Sequence, residues 1–154
     1  LFWNNDKGRY EDSHYKGKLT GVASEVGNAN ALLYGIATAE QIPRIGQAFL
    51  DKNQELVETS PLYCGYVIDG LMEAGFTETA LQIIRKRYGT MINHSDNPTI
   101  WEGWFPFTGQ QPFADNEAAF RIRNQIRPFG VRSMVHTGGI LTGFILTTQV
   151  LGVR

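Results

Sequence analysis

Two amphipathic runs joined by one short turn constrain this chain more than any other feature. Tyr63, Tyr66, Val67, Gly70, Leu71 and Ala74 fall at i, i+3, i+4, i+7, i+8 and i+11, the spacing of a helix with one buried stripe. The run is entered after Ser60-Pro61 and closed by Gly75. Leu81, Ile84, Tyr88 and Met91 carry the same period in the run that follows. There Thr77 can cap the first turn, Glu78 complements the positive end of the helix dipole, and Arg85, Lys86 and Arg87 lie toward the other end. So short a link forces antiparallel neighbours, which predicts an αα-hairpin.

A second pair of stripes precedes it. Ala29, Leu32, Leu33, Ile36 and Ala37 predict one helix, and Ile42, Ile45, Phe49 and Leu50 the next. The second is led by Thr38-Ala39-Glu40-Gln41, a capping-box spacing, although Pro43 also suits a first helical turn. A final helix is expected from about Ser133 to Leu151, with Ile140, Leu141, Phe144, Ile145 and Leu151 inward. Trp3 to Tyr15 reads as irregular or short-strand chain. Between Asn93 and Arg132 the periodicity fails; four prolines and the aromatics Trp101, Trp104, Phe105, Phe107 and Phe113 make this a long aromatic-rich connection. The expected class is all-α, built of helical hairpins with long aromatic loops. Of the chain's 17 glycines, Gly35, Gly46, Gly65 and Gly70 fall inside helical stripes. Glycine there costs roughly 1 kcal/mol against alanine, so close approach of a neighbouring element is expected to offset it.

The 154 residues suffice for one domain. Fourteen Lys+Arg against fifteen Asp+Glu leave a net charge of −1, which offers no footprint for nucleic acid or an anionic membrane. The single cysteine, Cys64, cannot form an internal disulfide, and with three scattered histidines it makes no zinc-type ligand set, so no metal is expected. No apolar run is long enough to span a bilayer, and no nucleotide-binding or zinc-protease motif occurs, so no cofactor is implied. The chain opens at Leu1 and ends at Arg154 directly behind an apolar run, as a domain cut at both ends would.

The segment richest in chemistry is Pro98-Thr99-Ile100-Trp101-Glu102-Gly103-Trp104. Indole surface beside a carboxylate desolvates it, which raises the pKa of an acid so placed. Sugar rings stack their C–H faces on indole, and glycoside hydrolysis uses carboxyl groups as acid and base. The alternative is that Trp101 and Trp104 are core anchors at helical spacing and Glu102 lies at the surface between them.

Four blocks, in order, resemble the bacterial α-L-rhamnosidases of glycoside hydrolase family 78. They are Phe2-Trp3-Asn4 with Gly8-Arg9-Tyr10-Glu11-Asp12; Asn28-Ala29-Asn30-Ala31-Leu32 with Gly35-Ile36-Ala37; Thr99-Ile100-Trp101-Glu102-Gly103-Trp104; and Ser133-Met134-Val135-His136. The likeness spans nearly the whole chain, and the third block is the most specific. It implies the C-terminal part of a six-hairpin (α/α)6 barrel catalytic domain over residues 1–154, an inverting hydrolase of terminal α-L-rhamnosyl residues, in the bacterial cytoplasm or periplasm.

By that resemblance Glu102 is the general base that activates water. The family's general acid lies upstream of this stretch, and no residue of the chain matches it. His136 matches a substrate-hydroxyl contact, with Ser133 as the cap of its helix. Trp3, Trp101 and Trp104 are candidates for sugar-stacking walls, and Asp12 and Asn30 for polar contacts with substrate. Thr137-Gly138-Gly139 departs from the bulkier residues the family carries there, which leaves the sugar open. The competing readings are a related six-hairpin glycosidase of different specificity and a non-catalytic helical-hairpin module that binds carbohydrate or a partner. A partial barrel leaves apolar flanks uncovered, so self-association through them is also expected.

Overall fold

The computed structural model describes residues 2–51, 56–93, 99–104 and 136–153. About 54% of these residues are helical, in five helices, and two small two-stranded sheets accompany them. The expected all-α class therefore holds only in its coarser form: a mainly helical chain with an N-terminal pair of β-hairpins. β1 (Trp3–Asn4) pairs antiparallel with β2 (Arg9–Tyr10), and β3 (His14–Tyr15) with β4 (Lys18–Leu19).

α1 spans Glu25–Leu33, earlier than its apolar stripe suggests. Ser24 caps it by accepting the Gly27 N–H. It stops at Tyr34 because Gly35 takes φ +64°, and both the Ile36 and the Ala37 N–H then fold back onto the Ala31 carbonyl. Ile36 is thereby left outside the helix and exposed. Gly35 is thus a helix stop rather than a point of contact within a helix. α2 spans Ile42–Leu50 with Pro43 in its first turn. Gln41 Oε1 accepts the Thr38 N–H at 2.9 Å, which is the returning half of the expected capping box. α1 does not pair with α2 as a hairpin; its principal neighbour is α3.

The predicted hairpin is present as α3 (Pro61–Glu73) and α4 (Thr77–Ile92), turned by Gly75 at φ +85°. The N-cap of α4 is Phe76, and Thr77 is its first helical residue. The buried face of α3 is Cys64, Val67, Ile68, Leu71 and Met72, while Tyr63 and Tyr66 are exposed. The apolar pattern of 61–74 fits two helical phases one residue apart, and packing against α1 and the other neighbours of α3 selects between them. That packing is close: a Cβ on Gly70 would stand inside van der Waals contact with the Ala29 carbonyl, and one on Gly65 would lie 2.6 Å from Leu141 Cγ. Gly46 meets the Phe76 ring in the same way.

The last segment begins as a 3-10 turn at Thr137–Ile140 and continues as α5 (Leu141–Ile145) and a π-helical turn at Leu146–Val150. Thr142 and Ile145 face inward, and Leu141 and Leu146 pack on the core. Ile140, Phe144 and Leu151, expected inward, are exposed. The core joins Ala29, Ile45, Val67, Ile68, Leu71, Met91 and Ile145 to Trp101 and Trp104. Among the described residues no helix is long and apolar enough to cross a membrane.

Candidate functional site

The Trp-Glu segment lies over the junction of α3, α4 and the 56–60 strand-like stretch. Its first anchor is backbone: the His136 N–H donates to the Ile100 carbonyl at 2.8 Å. The departure at Thr137-Gly138-Gly139 has a packing reason, since a Cβ on Gly139 would collide with Ile100 Cγ2 and one on Gly138 with Leu62. Residues 99–104 and 136–139 therefore form one unit despite their separation in sequence.

The second anchor is Trp104. Its Nε1–H donates to the Thr59 carbonyl at 2.6 Å, and its ring meets Tyr88 edge-on, with centroids 5.2 Å apart. The Arg87 guanidinium lies over the same ring at 5.6 Å. Trp101 is 1% exposed and Trp104 7%. Both indoles are buried and belong to the core cluster. Glu102, held between them, is half-buried, and Gly103 is buried.

Arg87 is the hub beneath. Its Nη1 and Nη2 donate to the two oxygens of Glu25 at 2.9 and 2.6 Å, and its Nε lies 2.6 Å from Glu58 Oε1. Glu25 Oε2 also accepts the Thr59 N–H at 3.0 Å. Burial opposes the Arg87 charge, but the hydrogen bonds and charge of Glu25, aided by Glu58, outweigh it and hold the guanidinium protonated. Two carboxylates share this one cation. Burial pushes the Glu58 carboxyl above its ordinary 4.5, with Arg87 acting against the rise and Glu25 adding to it.

Tyr88 extends the network, donating to the Pro61 carbonyl at 3.2 Å and accepting from Thr142 Oγ1 at 2.9 Å, which ties α5 to the hairpin. Burial raises the Tyr88 phenol and pushes the Cys64 thiol up to about 11, so both stay protonated at neutral pH.

His136 itself caps the 3-10 turn, its Nδ1 accepting the Gly138 N–H at 3.2 Å. In the neutral ring Nε2–H is then the available donor. Ser133, expected in the capping role, lies outside the described residues, as do Phe105, Phe107 and Phe113.

The remaining site candidates belong to the N-terminal hairpins and α1. Trp3 is half-buried, packed edge-on against Tyr10 at 5.1 Å with Arg44 over its ring at 5.5 Å. Asp12 is exposed and structural, its Oδ1 accepting from Ser24 N at 3.0 Å and Ser24 Oγ at 2.8 Å. Asn30 sits half-buried on α1, and among the described residues its Oδ1 has no hydrogen-bond partner.

Sequence reasoning missed Asn28 and the Arg87 cluster. Asn28 is fully buried; its Oδ1 accepts the Tyr10 N–H at 2.8 Å, and its Nδ2 donates to the Tyr10 and Ser24 carbonyls at 2.9 Å each. It is the splice between the first two sequence blocks. Arg87 reads in sequence as one of three basic residues toward the far end of its helix, and its carboxylate partners lie 62 and 29 positions upstream, so no local signal marks it. Among the described residues no group of three His, Cys, Asp or Glu side chains is placed to hold a metal.

Comparison with known proteins finds no matching family, no matching curated protein and no matching solved structure.

Proposed function

We propose that this chain is part of the catalytic domain of an inverting glycoside hydrolase acting on terminal α-L-rhamnosyl residues, with Glu102 as the general base. In that reading the α3–α4 hairpin is one of the repeats of an (α/α)6 barrel. Trp101 and Trp104 serve as the frame that presents the carboxylate rather than as walls for the sugar. The observation that carries the proposal is the pairing of the four blocks. The bond from His136 to Ile100 joins the third and fourth, and the Asn28–Tyr10 bonds join the first and second.

The chemistry follows from one half-buried carboxylate. A Glu102 oxygen takes a proton from water; the water oxygen attacks the anomeric carbon from the face opposite the leaving group, and the glycosidic C–O bond breaks with inversion. Protonation of the departing oxygen falls to the general acid, for which the resemblance supplies no residue of this chain. His136, with Nε2–H as its donor, is the side chain suited to a substrate hydroxyl.

The test is hydrolysis of an aryl α-L-rhamnoside by the full-length parent enzyme that contains this chain, followed by proton NMR. The first-formed sugar should be the inverted anomer, and Glu102→Gln should lower kcat by about 10²–10⁴-fold, the span of a general base. Equal turnover by both forms would remove Glu102 from the mechanism, and retention of configuration would remove the inverting mechanism.

A further inference from the structure

We infer that Leu62, Tyr63 and Tyr66 of α3 form a saccharide-binding strip that continues from His136; the class of ligand rests on the glycosidase reading. α3 fills its core face with Cys64, Val67, Ile68, Leu71 and Met72, which leaves these three large side chains in solvent at 39%, 51% and 39% exposure. Single apolar residues on a surface need no explanation, whereas a contiguous group of them marks a contact surface. Helix geometry makes this group contiguous. Leu62 and Tyr66 are four residues apart and are neighbours on one face. The Tyr63 and Tyr66 rings lie beside each other with centroids 6.4 Å apart, and among the described residues neither meets any further aromatic ring. Tyr66 stands four residues after Leu62, which meets Gly138, and four before Gly70, which meets the Ala29 carbonyl. It therefore points between α1 and the last segment, the two elements that flank α3.

At its other end the strip meets His136. Leu62 Cδ1 occupies the place where a Cβ on Gly138 would stand, and His136 Cε1 lies 2.9 Å from that place. Cε1 is bonded to Nε2, so the donor of the neutral imidazole is brought beside Leu62, and glycine at 138 is what lets the two side chains approach. A sugar ring has a C–H face and a rim of hydroxyls. Leucine and tyrosine offer apolar surface to the first, and the phenol groups and His136 offer hydrogen bonds to the second. Charge narrows the ligand further. α3 and residues 136–153 carry no Lys or Arg, and their acidic groups, Asp69 and Glu73, both accept from Gln149. Such a surface has no cation to hold a phosphate, sulfate or carboxylate, so it suits a neutral sugar, and a terminal rhamnosyl residue is one.

The inference is tested in the full-length parent enzyme with Tyr63→Ala, Tyr66→Ala and Tyr66→Phe, and with Tyr15→Ala as a control on the exposed β3 strand. The Kd for methyl α-L-rhamnoside is taken from an NMR titration, KM and kcat from an aryl α-L-rhamnoside, and the mass in solution from sedimentation. Each of the two α3 alanine variants should weaken Kd by about 10-fold, the scale of one lost aromatic contact, and should raise KM by more than it lowers kcat. Tyr66→Phe keeps the ring and should lose less than Tyr66→Ala. Tyr15→Ala should bind as wild type does, and methyl β-D-glucuronide should not compete. Folded Tyr63→Ala and Tyr66→Ala enzymes with wild-type Kd and KM would overturn the strip while leaving the hydrolase reading in place. So would unchanged sugar binding with an altered mass, which would show that the strip seats a protein. A parent enzyme that binds the rhamnoside through these tyrosines without hydrolysing it would overturn the proposed function and keep the strip; one that neither binds nor hydrolyses it would overturn both.

Discussion

Gly70 and Gly89 both stand inside helices, and replacing each with alanine should change stability in opposite directions. An alanine in a helix interior gains about 1 kcal/mol over glycine from propensity alone. At Gly89, on α4, the new methyl meets only Asn93 Nδ2, at 3.9 Å, an ordinary contact. Gly89→Ala should therefore stabilise the fold by about 1 kcal/mol, or about 2–4 °C in Tm for a chain of this size. At Gly70 the methyl would overlap the Ala29 carbonyl oxygen and stand 3.1 Å from its carbon. Ordinary carbon contacts lie at about 3.5–4.0 Å, and the obstacle is helix backbone, so α1 must retreat from α3 as a body. Overpacking of that kind costs about 1–3 kcal/mol, and the rigid partner places it at the upper end. After the propensity gain, the net loss is about 2 kcal/mol, or about 4–8 °C. Thermal unfolding followed by circular dichroism measures both variants. A Gly70→Ala protein melting at or above wild type would refute the claim that α1 and α3 touch through backbone at this point.

Three further outcomes follow from the buried polar groups. Asn28→Asp places an anionic oxygen against the Tyr10 and Ser24 carbonyls and should cost about 3 kcal/mol at pH 7 in urea unfolding, with part recovered at a pH low enough to protonate it. Wild-type stability at pH 7 would contradict this. Because the folded-state pKa of Glu58 is raised, its contribution to stability is full below the ordinary 4.5 and is lost as pH rises through the folded value. The Tm of wild type relative to Glu58→Gln should accordingly fall between pH 4.5 and 7; a difference independent of pH would show that Glu58 is not desolvated. At pH 8 a thiol at about 11 is ionised roughly one part in a thousand, so native Cys64 should react with a disulfide reagent only after denaturant is added. Stoichiometric reaction of the folded protein within minutes would argue against its burial.

Local pattern by itself determined the α3–α4 hairpin, its Gly75 turn, the short-strand character of the N-terminal segment, and the demand for close contact at Gly46, Gly65 and Gly70. These depend on period, turn chemistry and side-chain size, all of which act over a few neighbouring residues. The helix ends were less legible: α1 stops at Leu33 although its apolar stripe runs on to Ala37, because the Gly35 stop competes with the periodicity. The rotation of α3, which exposes Tyr63 and Tyr66 and buries Cys64 and Ile68, was not encoded in its own pattern. Two phases satisfy that pattern, and the energy that separates them comes from Ala29, Leu141 and the other surfaces that α3 meets. The site divides in the same way. That a carboxylate stands between two indoles is plain from Trp101-Glu102-Gly103-Trp104, but that the indoles are core anchors, and that Arg87 with Glu25, Glu58 and Thr59 fixes one of them, was decided only by the fold. Charges distant in sequence have no periodicity that links them; burial against a common neighbour brings them together, and that exists only once the chain has folded.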